Sequence, residues 1–105
     1  MDELDAASAL AALGHEARLR IFRLLVRAGD DGLSIGEIGD LAGLAPSTLA
    51  HHLAALVQAG LVLQARQGRS VRNTVDFARM RAVLSYVAED CCAGLLRDHP
   101  HGTAA

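Results

Sequence analysis

The 105-residue sequence contains no lysine and no tryptophan, and only three aromatic side chains: Phe22, Phe77 and Tyr86. Without large rings the core must be filled by small and branched aliphatic groups, and twenty alanines and seventeen leucines supply them. A core of that kind in so short a chain is marginal alone, so association with a second copy is expected. Cysteine is scarce too: Cys91 and Cys92 are the only two, which excludes a secreted disulfide framework. No apolar run approaches the ~20 residues of a bilayer-spanning helix, and the opening residues lack the pattern of a secretory signal. A membrane partner is therefore excluded and a cytoplasmic location expected. The size suits one domain, residues 1–105, with a flexible tail from about residue 97, where Pro100 and Gly102 follow.

Enzyme chemistry finds little support. His15, His51, His52, His99 and His101 could act as bases. They stand without a Gly-rich phosphate loop, a Ser/His/Asp arrangement or a zinc-hydrolase signature. No enzymatic activity is expected.

One absence is local. Residues 1–40 carry eight acids and four arginines, and residues 76–105 carry four acids and three arginines. Residues 41–75 carry no acid at all, but hold Arg66, Arg69, Arg72, His51 and His52. The net charge of −2 thus averages over acidic flanks and a basic window suited to an anionic partner. Chance in an Ala/Leu-rich stretch is the alternative.

The pattern of what is present is mainly helical. Residues 3–13 read as a helix with Leu10 and Leu13 on its apolar side. Residues 15–28 read as a second, with Glu16, Arg20, Arg23 and Arg27 on a polar face backed by Ile21, Phe22, Leu24, Leu25 and Ala28. After a turn at 29–32, Ser34 and Glu37 form a capping-box pattern that opens a short third helix through Leu41, closed near Gly43. Pro46 suits the first turn of a fourth helix, 46–59, stopped by Gly60. Residues 61–66 and 71–75 read as strands of a hairpin joined by residues 67–70. Asp76 can cap a last helix whose apolar stripe runs Met80, Leu84, Val87 and Cys91. The expected order is α-α-α-α-β-β-α, a mainly α chain with a small β-hairpin.

In the fourth helix, at about 100° per residue, Leu49, Leu53, Leu56 and Val57 gather on one side. Ser47, His51, Ala54 and Gln58 face the other way, with Thr48 and Ala55 at the edge. That outer face holds no carboxylate, and its small or hydrogen-bonding groups suit phosphates and base edges. An ordinary amphipathic helix with a bland exterior fits the same pattern. His52 lies nearer the apolar side and reads as structural. A short helix, a tight turn and such a helix make a helix-turn-helix, and Arg66, Arg69 and Arg72 around Gly68 make a plausible wing for phosphates or a minor groove. A solvated charged turn is the plainer reading of the wing, although three arginines without a countercharge are unusual there.

Residues Leu13–Ile21 (Leu-Gly-His-Glu-Ala-Arg-Leu-Arg-Ile), Ser47–Leu53 (Ser-Thr-Leu-Ala-His-His-Leu) and Leu56–Val62 (Leu-Val-Gln-Ala-Gly-Leu-Val), with the Gly68 wing, resemble the ArsR/SmtB bacterial transcriptional repressors. The resemblance covers about residues 8–95. It implies a homodimeric winged helix-turn-helix repressor on a double-stranded operator, dimerising through its first and last helices. It implies DNA contacts from Ser47, Thr48, His51 and Gln58 in the groove and from Arg66, Arg69 and Arg72 at the wing. The family usually has serine where Ala50 stands, so its operator preference is not carried over.

The family places inducer sites in the last helix, where Cys91 and Cys92 fall. A small buried Cys91 beside an incidental Cys92 is the alternative. Zinc usually takes four ligands, and His99 and His101 would have to complete the set from the tail. The family's other metal patterns are missing: residues 37–40 hold no cysteine pair, and residues 85–90 no Asp-x-His. Soft trivalent arsenic suits a dithiolate better. Arsenite prefers a third sulfur, which family branches often supply just downstream, where this chain has Leu95 to His99. A methylated or aryl arsenical needs only two. Thiol redox or sulfide sensing by the same pair remains a second reading, although a disulfide between neighbours fits a regular helix poorly.

Overall fold

In the computed structural model, which describes residues 1–95, the elements are α1 (Glu3–Leu13), α2 (Glu16–Ala28), β1 (Leu33–Ser34), α3 (Ile35–Ala42), α4 (Pro46–Gln58), β2 (Val62–Gln67), β3 (Ser70–Val75) and α5 (Phe77–Ala88). The fold is the expected helical one with an antiparallel hairpin, plus one strand. β1 pairs with β3, giving a three-stranded sheet in the order β1-β3-β2. Two residues are too short to show an alternating pattern, so β1 exists only through its neighbour.

A buried amide holds that pairing. Asn73 is fully enclosed, and its Nδ2 donates to the carbonyls of Leu33 (3.1 Å) and Val71 (3.3 Å). Its Oδ1 accepts from Gln64 Nε2 at 2.8 Å. All three strands are thus tied by one satisfied polar group, which fixes their register where apolar contacts would tolerate a slip.

Local chemistry sets the helix ends. Asp2 caps α1 through the Asp5 N–H, Ser34 and Glu37 make the full capping box at α3, and Asp76 caps α5 through the Arg79 N–H. Pro46 opens α4, whose N-cap, Ala45, offers no side-chain acceptor. Gly43 ends α3 in the left-handed region at φ 68°, the conformation that lets the chain turn sharply into α4.

The core joins Ile21, Phe22 and Leu25 of α2, Ile38 of α3, Leu49, Leu53 and Leu56 of α4, Val62 and Val75 of the sheet, and Val83 of α5. Each fully buried leucine contributes about 1.5–3 kcal/mol. α1 departs from expectation. It buries Ala6, Ala9 and Ala12, while Leu10 is 44% exposed and Leu4 80% exposed. The alanine face lets α1 lie close against its neighbours; Leu13 packs half-buried against the core as expected, while Leu4 and Leu10 are left outside.

Candidate functional site

The α3–turn–α4 unit presents one helix outward. Leu49, Leu53 and Leu56 seat α4 on the core, and Leu49 packs beside Gly39 of α3. Ser47, Thr48, His51 and Ala54 are exposed together on the opposite side. The first turn carries no acid and no side-chain cap, so its N–H groups are open to an anion. Gln58 is also exposed, but at the far end of α4, where it lines a shallow cleft with Ser8 and Ala11 of α1. It therefore stands apart from Ser47 and Thr48 by most of the helix.

The wing is a two-residue hairpin. Gly68 adopts φ 62° and Arg69 does not, the pattern of a type II′ turn, which matches the twist of the flanking strands. Gln67 and Ser70 belong to the ladder rather than to the loop. Arg66 and Arg69 are exposed at this end with no acidic partner among the described residues. Arg72 differs. It is half-buried, its Nη1 lies 3.3 Å from Glu37 and 3.4 Å from the Gly32 carbonyl, and it braces β3 against α3. The expectation of three arginines without a countercharge is corrected to two, because antiparallel pairing sets Arg72 opposite Ser34, one helical turn before Glu37. The Ser34 backbone N–H, its hydroxyl and the Arg72 guanidinium together hold the Glu37 carboxyl below its usual range.

The cysteines do not lie in a helix. α5 ends at Ala88, with Glu89 as its C-cap, and the expected stripe through Cys91 breaks there. Two carboxylates at a helix C-terminus oppose the dipole, and Asp90 and Cys92 take left-handed φ values of 59° and 64°. The resulting turns bring the thiols together: Cys91 Sγ and Cys92 Sγ are 3.4 Å apart, both exposed and both free. Among the described residues no group of three His, Cys, Asp or Glu side chains could hold a metal ion. His99 and His101 lie outside the described residues. Beside this turn, Leu84 and Val87 are 60% and 62% exposed, and Val83 alone of α5 is buried.

The helix-turn-helix domain family matches residues 13–65. A putative arsenical resistance operon repressor, ArsR, from Halobacterium salinarum is 34% identical over 79 residues, covering 66% of this chain and 60% of that protein. The transcriptional activator HlyU of Vibrio cholerae is 31% identical over 83 residues, covering 79% of this chain and 74% of HlyU. This chain belongs to the ArsR/SmtB family of winged helix-turn-helix transcriptional regulators. Solved structures agree with that placement of the regulator. Reduced HlyU superimposes with a TM-score of 0.67 at 30% identity, covering 85% of this chain and 90% of that one. An ArsR-like transcriptional regulator from Rhodococcus sp. RHA1 gives 0.73 at 28% identity, covering 86% and 81%. A homodimeric winged helix-turn-helix DNA-binding domain from Mycobacterium bovis, a possible ArsR-family regulator, gives 0.65 at 28% identity, covering 82% and 80%.

As an ArsR/SmtB regulator the chain binds DNA through its helix-turn-helix and is not an enzyme. No helix among the described residues is long and apolar enough to cross a membrane. Sequence reasoning missed two residues that pack behind α4, His15 and Arg18. His15 precedes α2 and caps it, and Arg18 Nε donates to Nδ1 of buried His52 at 3.2 Å. His52 is indeed turned inward. Burial, then the nearby His15, Arg18 and His51, push its pKa down. A histidine directly after Gly14 and before a helical run was the available signal for the cap.

Proposed function

We propose that the regulator is a cytoplasmic homodimeric repressor whose two α4 helices enter successive major grooves, about 34 Å apart, and which trivalent arsenic at Cys91 and Cys92 releases from DNA. The observation that carries the inducer reading is the pair of exposed thiols 3.4 Å apart, set beside the exposed Leu84 and Val87. Two sulfurs held about 2.3 Å from a tetrahedral ion stand about 3.8 Å apart, so the closer pair suits the tighter angle of a pyramidal trivalent centre. The two thiolates suffice for a methylated or aryl arsenical, which brings its own carbon ligand. Arsenite needs one more donor. Zinc fits less well, since Cys91 and Cys92 supply half of a tetrahedral set.

Dimerisation through α1 and α5 is supported by what those helices leave uncovered. Leu4 and Leu10 on one, Leu84 and Val87 on the other, form apolar faces without a partner in the chain itself. The M. bovis domain is described as homodimeric. Ser47, Thr48 and His51 are assigned to the groove, Arg66 and Arg69 to phosphates at the wing. Gln58 and Arg72 take flanking positions, the second mainly as a brace. Cysteine capture at the end of α5 then biases the α1/α5 contact toward an arrangement in which the two α4 helices no longer match successive grooves. A useful coupling is about 1–3 kcal/mol.

The same pair supports a second reading as a thiol redox or sulfide sensor. The objection that a helix resists a bond between neighbouring cysteines falls away once both lie beyond α5. One experiment separates the readings: DNA release by methylarsenite, arsenite, zinc and an oxidant, under identical conditions, with Cys91→Ser and Cys92→Ser proteins alongside. Release by the arsenicals, lost in both serine proteins, is expected. Release by oxidant alone transfers the site to redox sensing, and responses identical in all three proteins remove it.

A further inference from the structure

Arg18 of α2 and His15, its N-cap, turn away from the solvent-facing arginines of that helix and toward the recognition helix. Arg18 Nε donates to His52 Nδ1 at 3.2 Å, and the His15 ring lies 4.5 Å from the His52 ring at a 48° tilt. His15 Nδ1 is itself an acceptor, taking the Ala17 N–H at 3.2 Å to cap α2. His51, the next residue on α4, flanks His52 at 5.4 Å. Both His15 and His52 therefore use Nδ1 to accept, which requires the neutral ring with its proton on Nε2.

A proton added at either Nδ1 converts an acceptor into a donor. At His52 it would face the Arg18 N–H. At His15 it would face the Ala17 N–H and the positive end of the α2 dipole. The charged and titratable groups acting on His52 come from α2 and α4, namely His15, Arg18 and His51, and all are basic. α1, which also packs on α4, contributes Ser8, Ala11 and Ala12 to the cleft beside Arg18, none of them ionisable. None of the groups acting on His52 is a carboxylate that could compensate a new cation on it.

We propose that His15 and Arg18 are positioning residues for DNA reading: through neutral His52 they hold α4 in its groove-entering pose, and a proton taken up by this cluster weakens operator binding. The inference rests on the reading that α4 enters the groove. The neighbouring His51 is exposed on the outer face of α4, where a charge on it would act on DNA directly. Removing His51 therefore isolates the inner pair.

The test begins with a duplex selected from a random pool by the wild-type protein near neutral pH; if no sequence is enriched, the groove-entry reading fails rather than this one. Affinity for that duplex is then measured at constant salt for His51→Gln and for His51→Gln combined with His15→Asn and His52→Gln. Asparagine retains an N-cap acceptor and glutamine an amide acceptor, but neither titrates. If His52 stays neutral in the groove-entering pose and has the ordinary histidine pKa of about 6.5 once loosened, the one proton it takes up costs about tenfold between about pH 7.5 and about pH 5.5. His51→Gln is expected to lose at least that, while circular dichroism shows it still folded, and the triple variant is expected to be flat. Equal pH profiles in the two proteins overturn the proposal. Should the triple variant fail to fold, ¹⁵N shifts of the wild-type imidazoles decide: protons on Nε2 of His15 and His52 near neutral pH support it, and a proton on Nδ1 of His52 overturns it.

Discussion

Helices α4 and α5 are nearly equal in length, thirteen and twelve residues, yet they are finished to different degrees. α4 buries Leu49, His52, Leu53 and Leu56 inside its own chain and leaves a polar, acid-free face outside. α5 buries only Val83 and leaves Leu84 and Val87 exposed. The first has all its apolar contacts and lacks only a polar partner. The second still lacks an apolar one. This contrast is what supports the partners proposed above: an anionic groove for α4, and a second protein surface for α5.

The contrast can be broken from either side. Leu56→Ala should cost about 2–5 kcal/mol of unfolding free energy, read from urea denaturation, because a cavity opens under the recognition helix. Replacing Leu84 and Val87 together by glutamate should leave the unfolding free energy of one chain nearly unchanged, within about 0.5 kcal/mol, since both are exposed in it. The same change should weaken self-association by about 2 kcal/mol or more, measured by sedimentation equilibrium. A large loss of monomer stability would mean that Leu84 and Val87 are packed within their own chain after all.

The wing sharpens the comparison further. Arg66→Ala and Arg69→Ala should each lower the slope of log affinity against log salt by about 0.9, one phosphate contact apiece. Arg72→Ala should change that slope less than either, because its guanidinium is engaged by Glu37 and Gly32. A slope change at Arg72 equal to that at Arg69 would show that DNA displaces Glu37. The Glu37 carboxyl, held below its usual range, supports the α3 cap above the ordinary carboxylate pKa and loses that contribution as pH falls through its lowered value. This loss belongs to acid pH, below the ordinary carboxylate range.

Much of this organisation was legible in the residues. The capping box at Ser34, Pro46 at the start of α4, and the acid-free window each express local chemistry or composition, which need no knowledge of distant neighbours. The inward turn of His52 followed from its angle to His51. The failures share a different origin. Leu10 reads as inward and Ala9 carries no signal of its own, because hydrophobicity alone does not say that close approach favours the smaller group. Arg72 was grouped with Arg66 and Arg69, because strand register, not spacing, brings it to Glu37. Cys91 was placed on a helical stripe, because the end of α5 depends on Glu89 and Asp90 and on left-handed turns that periodicity does not record.

The sequence by itself determined the helical class, the recognition helix with its outward face, the basic wing and the pairing of two thiols near the end of the last helix. These rest on period, caps and covalent adjacency, which are properties of short segments. Only the tertiary structure decided that β1 joins the sheet, that Asn73 ties its three strands, that Arg72 is a brace, that alanines form the inner face of α1, and that Arg18 and His15 meet His52. Each of these depends on groups distant along the chain coming within hydrogen-bond or packing distance, where geometry and desolvation, rather than residue type, set what a side chain does.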